Sequence, residues 1–211
     1  LTESNPKIWF SDPTWGNHLT IAKHLKMTVG KYSYFNNETR AVNFEAMVSD
    51  LSKISNGDIV VLHGCCHNPT GANLNNEQWN IIADLLLEKD AIPFIDIAYQ
   101  GFGEGIEEDA FGTRLLANKF PEMFIAASCS KNFGIYRERC GIVMAISKNP
   151  DISIITQGNL SYVNRQNFSF PPDHGARLVT MVLTDPDLRA DWVSELEQVR
   201  LGMLNARTHL A

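Results

Sequence analysis

Four short apolar runs punctuate the chain: Ile59 to Leu62, Ile92 to Ile97, Met123 to Ala127 and Gly141 to Ile146. Each is rich in β-branched or aromatic residues and apolar at successive positions, which predicts strands buried on both faces. Between the first two, NNEQWNIIADLLLEK places Trp79, Ile82, Ala83 and Leu86 at helical spacing, with Asn75 as N-cap and Gln78 three residues on to complete a capping box. HLTIAKHL and NFEAMVSDLSKI carry the same periodicity, the second ending before Asn56-Gly57, a pair suited to positive φ. Asp185 followed by Pro186 opens a longer helix with Leu188, Trp192, Leu196, Val199 and Met203 on one stripe. Alternating strands and helices predict an α/β fold in three αβα layers on a mostly parallel, mixed sheet.

That last helix meets no breaker before Ala211, so the expectation is one compact unit, residues 1–185, and a helix over 186–211 leading to a further domain. The acidic run Glu104, Glu107, Glu108, Asp109 reads as a solvated loop. Composition adds what the pattern leaves open. With 211 residues and 44% hydrophobic content the chain can bury a sizeable core. A net charge of -6 without a Lys/Arg cluster argues against nucleic acid and against an anionic membrane surface. LTESNPKIWF has no signal-peptide pattern, and no apolar stretch approaches the ~20 residues of a membrane span. Cys65, Cys66, Cys129 and Cys140 show no disulfide-framework spacing, so reduced thiols and a cytoplasmic location are expected.

Chemistry-bearing residues gather at the ends of predicted strands, where open α/β sheets bind ligands. His67 to Gly71 (HNPTG) follows one strand; Asp96 and Tyr99 close the next; Ser128 to Arg139 (SCSKNFGIYRER) close a third. The segments SDPTWGNH, HGCCHNPTG, IDIAYQGF, SCSKNFGIYRERCG and NRQNFSFPPDHGA, in this order, resemble the class I aminotransferases, in their aspartate and aromatic amino-acid branch. The resemblance spans essentially the whole chain.

It implies pyridoxal 5′-phosphate as cofactor, carried by Lys131 as a Schiff base, with that lysine also moving the substrate's Cα proton. Asp96 matches the carboxylate that keeps the pyridine nitrogen protonated, supported by His18 and His63. Asn68 and Tyr99 match the donors to the phenolic oxygen, Trp15 the aromatic over the ring face, and Ser128 and Arg139 phosphate ligands. Arg165 resembles the arginine that reaches into a neighbouring subunit's site for a dicarboxylate, implying a homodimer; Trp15 and Asn68 would also touch substrate. The substrates implied are an amino acid and a 2-oxo acid. Each residue also has a plain reading: Lys131 and Arg165 as solvated cations, Asp96 and Asn68 as turn residues, Trp15 as core, His18 as a half-buried histidine.

Phe168 stands where the family often has tyrosine, and nothing chooses between aspartate and aromatic substrates. A phosphate loop with a partner-subunit tyrosine, and the arginine for the α-carboxylate, would lie before Leu1 and after Ala211 in this pattern. A chain lacking them is expected to be weakly active at most, and a cofactor-binding or effector-sensing role is the alternative. A zinc site on His63, Cys65, Cys66 and His67 is set aside, because neighbouring residues on a strand face opposite ways, and no metal is expected. No G-x-G-x-x-G supports a nicotinamide site.

Overall fold

The structure, a computed structural model, describes residues 6–210. Six strands form one sheet in the order β2-β1-β5-β6-β7-β8: β1 Lys7–Asp12, β2 Thr28–Ser33, β5 Ile59–His63, β6 Ile92–Ile97, β7 Met123–Ser128 and β8 Gly141–Ile146. All pairs are parallel except β7 with β8. A two-residue pair, β3 Phe35–Asn36 with β4 Ala41–Val42, stands apart. The four predicted strands are present within a residue of their expected ends.

Strand alternation divides the core in two. Val60 and Leu62 of β5 point to the larger cluster with Ile95, Met123 and Ile125. That face is covered by α2 Phe44–Leu51, α3 Asn76–Glu88 and α4 Phe111–Lys119, through Met47, Leu51, Trp79, Ile82, Leu86 and Leu116. Val61 points the other way, to Ile8, Phe10 and Ala22, the last on α1 Gly16–His24. Each fully buried Leu, Ile or Met contributes about 1.5–3 kcal/mol, so the α2–α4 side carries most of the apolar stabilisation. Helix α3 is capped as its sequence predicts, Asn75 and Gln78 each bonding the other's backbone N–H.

β1 and β2 escaped the sequence pattern because β2 is an edge strand whose TVGKYS buries only Tyr32, and Lys7 and Asp12 at the two ends of β1 are exposed. The acidic run needs correction: Glu104, Glu107 and Glu108 are exposed, but Asp109 is buried. Its carboxylate accepts the backbone N–H groups of Gly101, Gly103 and Glu104 and so organises the loop after β6.

Beyond β8 come α5 Pro150–Phe168, α6 His174–Thr184 and α7 Pro186–Leu210. Asp185 caps α7 through the N–H groups of Asp187 and Leu188. The α7 stripe is buried only in its middle, where Leu196 packs against the turn at Gly101 and Trp192 stacks on Phe133. Leu188, Val199 and Met203 are exposed. β8 likewise exposes Ile142, Val143 and Met144 at the sheet edge.

Candidate active site

Because β1, β5, β6 and β7 run parallel, their C-terminal ends open at one edge of the sheet, and each delivers a polar residue there. Trp15, His63, Asn68, Asp96, Tyr99, Ser128, Ser130, Lys131, Tyr136 and Arg139 line a cavity of about 340 Å³. Trp15 is 42% exposed, so it is a wall of this cavity and not a core residue.

On one side lies a carboxylate with its supports. Asp96 is the penultimate residue of β6, and its Oδ2 is 2.9 Å from His18 Nε2. His18 Nδ1 is in turn 3.0 Å from Thr14 Oγ1, and Thr14 lies 3.4 Å from His63 Nε2. His63 sits beside the ring of His67, which is 2.9 Å from Ser11 Oγ and stacks on Tyr34. Burial pulls His63 down to about 4, with Asp96 opposing and His18 adding to the drop. His67 falls to about 3, from burial first and then from His63 and His18. Both are neutral imidazoles at pH 7, so the network leaves the Asp96 carboxylate with hydrogen-bond support rather than a stack of cations.

On the other side, the turn after β7 carries the cations. Lys131 Nζ sits 4.2 Å from the centroid of the Tyr99 ring. Arg139 has a left-handed backbone at φ 52 and donates from Nη1 to the Tyr136 carbonyl. Among the described residues neither cation pairs with a carboxylate. Ser128 Oγ accepts the N–H of Ser130. Trp192 donates its indole N–H to the Asn132 carbonyl and stacks on Phe133, tying α7 to this turn.

Of the residues anticipated from sequence, Lys131, Asp96, Tyr99, Asn68, Trp15, Ser128, Arg139 and His63 meet in one cavity, with His18 directly behind Asp96. Arg165 does not join them. It is exposed on α5 with its guanidinium 5.5 Å from the Phe170 ring. Sequence reasoning missed Thr14, His67 and Ser11 in the supporting network, and Ser130 and Tyr136 in the wall. Thr14 stands four residues before His18 and could have been found from that spacing; Ser11 had no local signal. The adjacent cysteines do not face opposite ways on a strand as expected. β5 ends at His63 and Cys66 has φ 46, so the Cys65 and Cys66 thiols and the Asp109 carboxylate lie within 4.8 Å of one another. Both Asp109 oxygens are already engaged by backbone N–H groups.

The profile of the family described as aminotransferase class I and II matches residues 1–211. The chain is 55% identical over 210 residues to an aromatic-amino-acid aminotransferase of Paracoccus denitrificans, covering 99% of this chain and 53% of that one. It is 45% identical over 193 residues to a cytoplasmic aspartate aminotransferase of Dictyostelium discoideum, covering 91% and 44%. Among solved structures, an aromatic-amino-acid aminotransferase of Burkholderia pseudomallei covalently bound to pyridoxal phosphate superposes with a TM-score of 0.90. The two are 42% identical, over 93% of this chain and 49% of that one. The chain spans about half the length of the curated relatives it matches.

Proposed function

Because the chain belongs to the class I and II aminotransferases, we propose that the full-length protein transfers an amino group from aspartate or an aromatic amino acid to 2-oxoglutarate, using pyridoxal 5′-phosphate held by Lys131. The observation that carries this reading is the meeting of Lys131, the Asp96–His18 pair, Tyr99, Asn68, Ser128 and Arg139 around one cavity.

The donor set fits the cofactor. A carboxylate backed by histidine suits a pyridinium N–H; a guanidinium and a hydroxyl on one turn suit a phosphate; an exposed indole suits a flat ring. Bound there, the cofactor supplies an aldehyde carbon that condenses with amines and a pyridinium that draws electron density from the substrate Cα. The chain's own residues do the rest. Asp96 would accept the ring N–H and keep it protonated, its carboxylate oriented by His18. Asn68 and Tyr99 would donate to the phenolic oxygen, and Ser128 and Arg139 would hold the phosphate. Lys131 Nζ would hold the cofactor and, as a free amine, would move a proton at the substrate Cα.

Arg165 is assigned to the neighbouring subunit's site, in a homodimer that buries the apolar residues now exposed on α5, among them Ile154, Ile155 and Tyr162. Residues 1–185 form the cofactor domain, and 186–211 lead toward a smaller one. Among the described residues no helix is long and apolar enough to cross a membrane; with four free thiols, a cytoplasmic home is the reading adopted.

The test is to mix the protein with pyridoxal phosphate, follow the absorbance of the imine, reduce with borohydride and map the labelled peptide. Label on Lys131 supports the assignment; label on any other residue sinks it.

A further inference from the structure

Two of the four cysteines bracket the turn that carries Lys131 and Arg139. In the antiparallel β7–β8 ladder Ser128 pairs with Gly141, so Cys129 and Cys140 stand opposite each other one step further on. The Cys129 N–H donates to the Cys140 carbonyl at 3.1 Å. Opposed residues in such a ladder have Cα atoms roughly 4.5–5.5 Å apart, inside the range of about 4.4–6.8 Å that a disulfide spans. Both cysteines are free and half-buried, and Cys140 lines a second cavity, of about 660 Å³, between this end of the sheet and α5.

We propose that Cys129 and Cys140 form a reversible disulfide that staples the two ends of the cofactor-binding turn. It arises by exchange with a low-molecular-weight disulfide. Cys140 lines the cavity against α5, so exchange starts there, while burial and the neighbouring thiol push Cys129 up from its ordinary range. The Cys140 thiolate attacks one sulfur of the small disulfide; that S–S bond breaks, and one small thiolate leaves. The Cys129 thiol then gives up its proton, its sulfur attacks the Cys140 sulfur, and the second small thiol departs. Two protein thiols are oxidised by two electrons, and the small disulfide is reduced to two thiols.

The bond encloses residues 130–139, including Lys131, Gly134 at φ 66 and Arg139 at φ 52. Closing this ring limits how far Lys131 and Arg139 separate when the turn opens. The turn lies on the outer side of the sheet, with the exposed β8 beyond it.

The test equilibrates the full-length protein, loaded with cofactor, against oxidised and reduced glutathione, then alkylates free thiols and maps the peptides. The expected product is a Cys129–Cys140 cross-link lacking the two thiol hydrogens, reversed by dithiothreitol and absent in Cys129→Ser and Cys140→Ser. Trypsin cleavage after Arg137, which requires local opening, slows about tenfold in the oxidised form. The wild-type map decides the matter even if a variant fails to fold. Full alkylation of both cysteines under oxidising conditions, glutathione left on Cys140 without ring closure, or a Cys65–Cys66 bond in its place each overturns the proposal.

Discussion

The two walls of the cavity are built on different principles. The Asp96 wall rises from central strands, and its polar groups pass hydrogen bonds from Asp96 through His18 to Thr14 and on toward His63. It is internally satisfied and mostly out of water. The Lys131–Arg139 wall is a turn at the sheet's outer side, whose cations have no carboxylate partner among the described residues and whose backbone leans on Trp192 of α7. One wall is held by its own hydrogen bonds; the other leaves Lys131 and Arg139 without a carboxylate among the described residues. A site built this way orients the acid–base end of a ligand in advance and recruits the charged end electrostatically.

The largest effect expected from breaking the contrast is at Asp96. In the full-length enzyme, Asp96→Ala removes the carboxylate proposed to hold the pyridinium proton and should lower kcat on the order of 10³-fold, while Asp96→Asn keeps the size of the side chain but not its charge. Steady-state rates with aspartate and with tyrosine measure both variants. Turnover within tenfold of the parent would mean that Asp96 does not hold the pyridinium proton.

Acid should loosen the first wall before the second. Unfolded histidine titrates near 6.5, whereas His63 and His67 in the fold titrate at about 4 and about 3. Above pH 6.5 both states are neutral and their contribution is complete. As pH falls below 6.5 the unfolded chain binds protons that the fold refuses, and stability is lost down to the folded values. Each pH unit between the unfolded and folded titrations is worth about 1.4 kcal/mol per histidine, so urea unfolding should show a loss of roughly 2–5 kcal/mol between pH 7 and pH 4.5. His63→Asn should flatten that slope. An unchanged slope means that His63 is not buried neutral.

The smallest effect concerns the second wall. Arg139 is exposed, so Arg139→Ala should shift unfolding stability by less than about 0.5 kcal/mol. It removes the charge-assisted contact to the phosphate that is proposed for it, worth about 1.5–3 kcal/mol, and cofactor affinity should fall roughly 10- to 100-fold in a fluorescence titration. A large stability loss with unchanged affinity would reverse the contrast between the walls.

Much of this site was legible because its residues lie at ends of strongly patterned elements. An aspartate closing IPFID and a lysine three residues past MFIAAS are visible wherever apolar runs stop. β2 was not legible, since an edge strand needs apolar residues on only one face and here buries little beyond Tyr32. Asp109 looked like one more solvated acid until the turn at Gly101 and Gly103 folded over it. Ser11 and His67 carry no local mark of the bond they share, because its two ends lie 56 residues apart in sequence.

The sequence by itself determined the strand and helix alternation, the capped ends of α3 and α7, and the placing of chemistry-bearing residues where apolar runs stop. These depend on local period and residue chemistry, which a few neighbours settle. Only the tertiary structure decided that β5, β6 and β7 present His63, Asp96 and Ser128 at one edge, and that His63 and His67 stay neutral behind Asp96. It alone set Cys129 against Cys140 across an antiparallel turn. Strand order, burial and facing register are properties of distant segments brought together, and no window along the chain contains them.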